Sequence, residues 1–180
     1  MAIDLKELFD DVWLCTDGDG PQVQDLTTSG ADDLTCSVEV EYTDTTVLVR
    51  SANIPNHDFE STLGCCTEEL DMEWVIPRFP TADTDGEFLD APERFAVAFA
   101  VTGVSIFGPE EGPGGDAVAL HHDYFEEDRQ PIVLGLCGGH SAGSAYHDGW
   151  LFDFLQFKDV RLAVIVVDNR FHLTLLKVTR

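Results

Sequence analysis

Basic side chains are scarce in this sequence. Ten lysines and arginines stand against 34 aspartates and glutamates among 180 residues, which gives a formal net charge of −24 at pH 7. A chain with this charge repels phosphate backbones, so we expect neither nucleic acid nor anionic membrane surfaces as partners. The charge is compatible with cationic partners, with divalent metal ions or with a salt-rich medium.

Long apolar runs are also missing. No stretch is long enough to span a membrane, so we expect no membrane insertion. The first fifteen residues contain neither a basic n-region nor an apolar run of seven residues, and they do not predict a signal peptide. The localisation stays open on this evidence. Apolar residues make up 44% of the chain, which is ordinary for one soluble globular domain of this length.

The cysteine count does not settle the redox compartment. Five cysteines are present, so at least one has no partner within the chain. Neighbouring cysteines rarely bond each other because the geometry is strained, and this applies to Cys65 and Cys66.

Sequence motifs of three common kinds of site are absent. The glycine-rich run 112–115 lacks the Lys-Ser/Thr of a phosphate-binding loop. The run Asp17-Gly-Asp-Gly20 has no glutamate at the twelfth position of a calcium loop. Ser141 and Ser144 lack the context of a nucleophile elbow. The sequence therefore leaves enzymatic activity uncertain and indicates no catalytic residue.

The N-terminal region, residues 1–35, is predicted to be a short helix followed by an acidic loop. Apolar residues at helical spacing predict a helix over residues 4–14, with Asp4 as its N-cap. Residues 16–35 are rich in Asp, Gly, Thr and Ser, which is typical of a loop.

From residue 36 onward, apolar residues alternate with polar or small ones, which predicts short β-strands. The predicted strands cover residues 36–42, 46–50, 72–76, 95–101, 104–107, 116–122 and 131–136. Their predicted shared core consists of Val38, Val40, Trp74, Ile76, Phe95, Val97, Phe99 and Val101. This pattern favours a mainly β, sandwich- or barrel-like single domain with a short N-terminal helix.

Turn chemistry dominates two later stretches, residues 108–115 and 137–149, which are predicted to be loops. The tail is richer in apolar residues than these loops. Residues 161–167 and 170–176 predict a β-hairpin with a two-residue turn.

Histidines in loops are the candidate metal ligands. His57, His140 and His147 have small or turn-forming neighbours, and rigid loops can bring imidazoles together around an ion. Cys137 is a candidate thiolate ligand, with a buried thiol or half of a disulfide as the alternative. Of the adjacent pair His121-His122, at most one can join a cluster, because neighbours on a strand point to opposite faces. The spacing alone favours the alternative, in which these are surface or hydrogen-bonded histidines that bind nothing.

Four stretches, taken in order, resemble the YHYH-domain family. They are Ser51-Ala-Asn-Ile-Pro-Asn-His57, Trp74-Val-Ile-Pro77, Ala98 to Phe107 followed by Gly115-Asp-Ala-Val118, and Cys137-Gly-Gly-His140 followed by Tyr146-His147. The resemblance covers roughly residues 45–148. It divides the chain into the N-terminal region, a YHYH-like β domain over residues 36–150, and a divergent tail over residues 151–180.

The chain departs from the family's signature at one expected histidine. Asp148-Gly149 stands where the second Tyr-His is expected, so either Asp148 replaces it as an oxygen ligand or the site is lost. Family members are often secreted.

The resemblance implies a metal-binding β domain, and copper or zinc suits imidazole ligands. Its ligands would be His57, His140 and His147, with Cys137 or Asp148 as a fourth. One alternative is a metal-dependent hydrolase in which an open coordination position activates water. Another is a non-catalytic interaction module whose histidines hold no metal. The metal ion is the one partner that the sequence indicates, and protein partners stay unknown.

Overall fold

The computed structural model confirms a mainly β single domain with one short N-terminal helix. It describes residues 3–9, 12–16, 18–27, 33–60, 66–80, 95–107, 110–111, 115–116, 139–148 and 163–165. No helix in this part of the chain is long and apolar enough to cross a membrane.

The described residues form one helix and twelve strands. These are α1 (Leu5–Phe9), β1 (Gln22–Val23), β2 (Leu34–Thr35), β3 (Val38–Tyr42), β4 (Thr46–Ser51), β5 (Met72–Pro77), β6 (Ala96–Ala100), β7 (Ser105–Phe107), β8 (Glu110–Glu111), β9 (Gly115–Asp116), β10 (Gly139–Ala142), β11 (Ala145–Asp148) and β12 (Ala163–Ile165). The main sheets have the strand orders β10-β11-β7-β6-β12 and β3-β4-β5, and β1-β2 and β8-β9 form two small ribbons.

The three-stranded sheet follows the predicted alternation. β3 and β4 form an antiparallel hairpin in which Val40 pairs with Val49, and β4 pairs in turn with β5. Val38, Val47 and Val49 are buried on one face, while Glu39 and Glu41 of β3 are exposed. The strands predicted over residues 46–50 and 72–76 are therefore confirmed, each with one added residue.

Helix α1 is capped as predicted but is shorter than the predicted 4–14. The Asp4 carboxylate accepts a hydrogen bond from the Lys6 backbone N–H at 2.9 Å, which is the contact of an N-cap. It also forms two hydrogen bonds with Arg78, at 2.7 and 2.8 Å, and these lower the pKa of Asp4. Further on the backbone bonding is no longer helical, because Leu14 N–H donates to Val101 O.

Strand β6 is buried on both faces, as its alternating large and small side chains predict. Phe99 lies in one core cluster with the three-stranded sheet and α1, and its ring stacks with Trp13 and Trp74 at 5.9 and 5.1 Å. Val97 belongs to a second cluster, which includes Tyr146. The strand therefore supplies side chains to both cores of the domain.

The predicted core is correct for seven of its eight residues. Four of them, Val38, Ile76, Val97 and Phe99, are buried, and Val40, Trp74 and Val101 are partly buried against the core. The prediction for Phe95 is wrong, since this side chain is 75% exposed. Phe95 has a backbone φ of 65° immediately before β6, so it precedes the strand and does not share its alternation.

Three predicted loops contain strands. The region 16–35 includes the ribbon of β1 and β2, and the region 137–149 includes the hairpin of β10 and β11. The hairpin turns at Gly143, whose φ of 66° suits glycine. The glycine-rich composition of residues 137–149 predicts a loop, although Gly139 lies in β10 and Gly143 lies in the hairpin turn. In the region 108–115, β8 and β9 pair around the predicted turn.

The tail contributes to the main sheet. β12 pairs antiparallel with β6, and Val164 lies opposite Phe99. The other strand of the predicted tail hairpin lies outside the described residues, as do residues 117–138 with His121 and His122. The boundaries at residues 35 and 150 stay predictions.

Candidate functional site

The hairpin of β10 and β11 positions the two histidines of the signature region. In its register His140 lies opposite His147, and Gly139 lies opposite Asp148. Paired residues of antiparallel strands share a face, and successive residues alternate between faces. The hairpin therefore places both imidazoles on one face.

The two imidazoles form a buried aromatic cluster. His140 and His147 are 0% and 1% exposed, and their ring centroids lie 4.3 Å apart at an interplanar angle of 67°. The ring of His147 also stacks on Phe107 of β7, at 4.0 Å and 14°. This stacking and the hairpin register fix the His147 ring between two neighbours.

The other face of the hairpin carries a phenol and a carboxylic acid. A Cβ added at Gly139 would overlap both the hydroxyl of Tyr146 and Oδ1 of Asp148, so these groups converge over the glycine. The Tyr146 ring packs on Phe59 at 4.8 Å. Asp148 is buried, and burial raises its pKa to about 7. Because Asp148 follows His147 directly in β11, its side chain lies on the opposite face from the imidazoles.

Asn53 joins this hairpin to the neighbouring strand. Its side-chain Nδ2 donates to the carbonyl oxygen of Tyr146, and its Oδ1 accepts hydrogen bonds from the backbone and the hydroxyl of Ser105. The sequence pattern indicates His57 in the same stretch and assigns no role to Asn53. The sequence carries one signal for Asn53, since an asparagine between two apolar residues can adopt the left-handed backbone conformation. Its φ is indeed 57°.

His57 is half-buried and lies in the loop after β4. Its Nδ1 lies 2.9 Å from the carbonyl oxygen of Asp58. A carbonyl can only accept, so Nδ1 carries the hydrogen in this contact. The described residues include no group of three or more His, Cys, Asp or Glu side chains that could hold a metal ion. The structure thus brings together His140 and His147 and leaves His57 outside that pair.

Two disulfides involve described cysteines. Cys15 and Cys36 are bonded to each other, and Cys66 is bonded to a cysteine outside the described residues. Cys137 itself lies outside the described residues, so its predicted role as a ligand stays a prediction.

Comparison with known proteins adds no relative. No protein-family model, no curated protein and no solved structure matches this chain. Fold and site define a small β domain with a buried histidine pair, and the likeness to the YHYH-domain family is carried by the quoted motifs alone.

Proposed function

We propose that this protein is a YHYH-like β domain that binds a transition-metal ion, copper or zinc, through His140 and His147. The observation that carries the proposal is the cross-strand pairing of these two buried imidazoles, with ring centroids 4.3 Å apart. Neutral imidazole nitrogens are ligands for both metals. A hairpin that fixes two of them side by side supplies half of a four-coordinate site.

His57 is the proposed third ligand. Histidines that bind a metal usually donate their other ring N–H to a carboxylate or a backbone carbonyl, which fixes the tautomer. The hydrogen bond from Nδ1 of His57 to Asp58 O has this form, and in the neutral ring it leaves Nε2 as the atom that can bind a metal. His57 and the hairpin also belong to two of the stretches that resemble the family. Cys137 can be a fourth ligand only with a free thiol, that is, if it is not the disulfide partner of Cys66, and the position of Asp148 on the opposite face does not favour Asp148.

The burial of the pair favours metal binding over catalysis. Structural zinc sites are closed, while catalytic ones keep a coordination position open to water or substrate. His140 and His147 are almost fully buried, so this chain's own residues exclude bulk water from the two imidazoles. The alternative of a metal-dependent hydrolase requires an open position, which would let the ion activate water.

The test is elemental analysis of the purified protein, followed by titration of the metal-free protein with Zn²⁺ and Cu²⁺. We expect His140→Ala and His147→Ala each to remove most of the affinity, and the double variant to lose little more, because ligands of one ion act as a unit. Affinity should fall at low pH, since protons compete with the metal ion for the imidazole nitrogens.

His57→Ala tests the third ligand. His172→Ala serves as the control, because His172 belongs to the predicted tail hairpin and is not among the proposed ligands. A loss of affinity with His57→Ala as large as with His147→Ala would place all three in one site. Small and independent effects of the three substitutions would overturn the proposal and favour the non-catalytic interaction module, in which the histidine pair is core packing. Metal retention without turnover on ester, phosphate and glycoside substrates would separate binding from hydrolysis.

A further inference from the structure

A segment near the N-terminus covers the apolar face of the three-stranded sheet. It consists of residues 3–9 and 12–16, and we call it the strap. Leu5 and Phe9 of the strap are buried in one core cluster with Val49 of β4. Trp13 lies edge to face with Phe9, with ring centroids 5.6 Å apart. The strap therefore forms one side of this core.

Noncovalent contacts hold the start of the strap. The backbone N–H of Leu5 donates to Arg78 O at 3.0 Å, just after β5. The guanidinium of Arg78 donates two hydrogen bonds to the carboxylate of Asp4, at 2.7 and 2.8 Å. This end of the strap is thus attached to the sheet without a covalent bond.

A disulfide holds the other end. Cys15 is bonded to Cys36, two residues before β3. Two backbone hydrogen bonds accompany the disulfide, from Leu14 N–H to Val101 O at 3.0 Å and from Val38 N–H to Cys15 O at 2.9 Å. The two ends of the strap therefore differ in chemistry, because only the second one responds to a reductant.

The backbone of Cys15 is strained. Its φ of 62° lies in the left-handed region, which is unfavourable for a residue with a Cβ and persists only where the surrounding structure imposes it. The disulfide and the hydrogen bond from Val38 both restrain this residue. Opening the disulfide removes one of the two restraints and lets the backbone of Cys15 relax.

The two halves of the disulfide differ in their access to solvent. Cys36 is 0% exposed, and Gly20 packs directly on it, since a Cβ at this glycine would lie 1.6 Å from Cys36 O. Cys15 is half-buried and lines a groove of about 1020 Å³. A thiolate can therefore approach Cys15 from the groove, whereas Cys36 is shielded.

We propose that the Cys15–Cys36 disulfide is a redox switch that a dithiol reductant opens, and that its opening detaches residues 12–16 of the strap while α1 stays in place. Exposed or strained disulfides are the readily reduced, regulatory ones. Detachment removes the indole of Trp13 from the ring of Phe99, on which it stacks at 5.9 Å, and exposes that part of the core. The proposal involves neither His140 nor His147 and is independent of metal binding.

The exchange proceeds in two steps. A thiolate of the dithiol attacks Sγ of Cys15, the S–S bond breaks, and Cys36 leaves as a thiolate that takes up a proton. The second thiol of the reductant then attacks the sulfur that is bonded to Cys15, which leaves as a thiolate and is protonated. The protein disulfide gains two electrons and two protons, and the dithiol loses them as it becomes a cyclic disulfide.

The first test follows amide hydrogen exchange in a variant that carries Cys15→Ser and Cys36→Ser. We expect the amide of Leu14 to exchange about tenfold faster or more than in the parent protein, and the amide of Leu5 to keep its rate, because local opening frees only one end of the strap. Dithiothreitol should produce the same change at Leu14 in the parent protein. It should produce no further change in the variant, which controls for reduction of the bond at Cys66.

Asp4→Asn is the matched variant at the other end. Asparagine keeps an oxygen for the N-cap hydrogen bond from Lys6 N–H and loses the charge that pairs with Arg78. We expect faster exchange at Leu5 and an unchanged rate at Leu14, which is the reverse of the disulfide variant.

The second test asks whether the folded protein can be reduced. Alkylation with dithiothreitol present and without denaturant should label Cys15 and Cys36, while far-UV circular dichroism retains the strand signal. A bond that opens only in denaturant would overturn the proposal and make the disulfide a permanent staple. Equal acceleration at Leu5 and Leu14, an unchanged rate at Leu14 or failure of the double-serine variant to fold would overturn it too.

Discussion

Asn53 donates a hydrogen bond from its side chain to the carbonyl oxygen of Tyr146, 93 residues further along the chain. The same side chain accepts from Ser105 N–H at 2.8 Å and from Ser105 Oγ at 2.9 Å. One buried amide thus links the loop after β4 to the start of β7 and to the hairpin strand that carries His147. The geometry of the candidate metal site depends on this link.

We therefore expect Asn53→Ala to destabilise the protein by about 2–4 kcal/mol, since it leaves Ser105 N–H and Tyr146 O buried without this partner. The left-handed backbone at residue 53 adds to the cost for alanine. Urea unfolding measures the change. The exposed Asn56 offers a control in the same loop, and Asn56→Ala should alter stability by less than about 0.5 kcal/mol. Equal small effects at both positions would contradict the assigned role.

The strands could be predicted from the sequence because alternation is a local property. Val38, Val47 and Val49 are buried for the reason that the pattern indicates, and Asp4 caps α1 as predicted. The role of Asn53 could not be predicted in this way, because its partner stands 93 residues away and only the folded register shows it.

The hairpin that holds the histidines was predicted as a loop. Its glycines are typical of turns in the sequence, although Gly139 is paired within a strand. The spacing of His140 and His147 permitted convergence but did not require it. The two-residue turn between β10 and β11 sets the register that makes these histidines direct cross-strand partners.

Gly139→Ala should destabilise the hairpin by about 1–3 kcal/mol, the usual cost of added volume in a packed site. The new Cβ would overlap the Tyr146 hydroxyl and the Asp148 carboxyl. The nearest overlap is with the hydroxyl, which phenylalanine lacks, so Gly139→Ala should cost less in a Tyr146→Phe background, although the overlap with the ring carbon Cζ stays. A double-mutant cycle by urea unfolding measures this coupling. Strict additivity would contradict the packing of Tyr146 over Gly139.

Stability should depend on pH through Asp148. Burial raises its folded-state pKa from the ordinary 3.8 to about 7, so folding favours the protonated acid. The stability that the folded protein keeps by holding Asp148 protonated is fully present below about pH 4 and is lost as the pH rises toward 7. The loss in the free energy of unfolding is on the order of 4 kcal/mol at most. Asp148→Asn resembles the protonated acid and should reduce the loss of stability between pH 5 and pH 8. The same loss in both proteins would assign the pH dependence to other groups, and Asp44→Asn provides an exposed control.

We expect Cys66 to be bonded to Cys137. Cys15 and Cys36 are already paired, which leaves Cys65 and Cys137 as partners for the bonded Cys66, and adjacent cysteines are strained. The backbone N–H of Glu68 donates to Ser144 O in the hairpin turn, so the segment after Cys66 lies against the hairpin. Peptide mapping under non-reducing conditions distinguishes the two pairings. A Cys66–Cys137 bond would remove Cys137 from the proposed ligands, and a Cys65–Cys66 bond would leave it available.

Removal of residues 154–180 should weaken the whole domain. The resemblance to the YHYH family ends before this tail, which predicts that the tail is dispensable. The structure pairs β12 with Ala98, Phe99 and Ala100 of β6, and β6 lies between β7 and β12 in the five-stranded sheet. Without β12, the strand that carries Phe99 becomes an exposed edge, which loses its backbone partners and promotes aggregation.

We expect the truncated chain to unfold at a clearly lower urea concentration than the full chain. A chain ending at residue 167 keeps Ala163–Ile165 and separates the effect of β12 from that of the last thirteen residues. An unchanged midpoint without residues 154–180 would show that the pairing of β12 contributes little and that residues 151–180 are an independent addition.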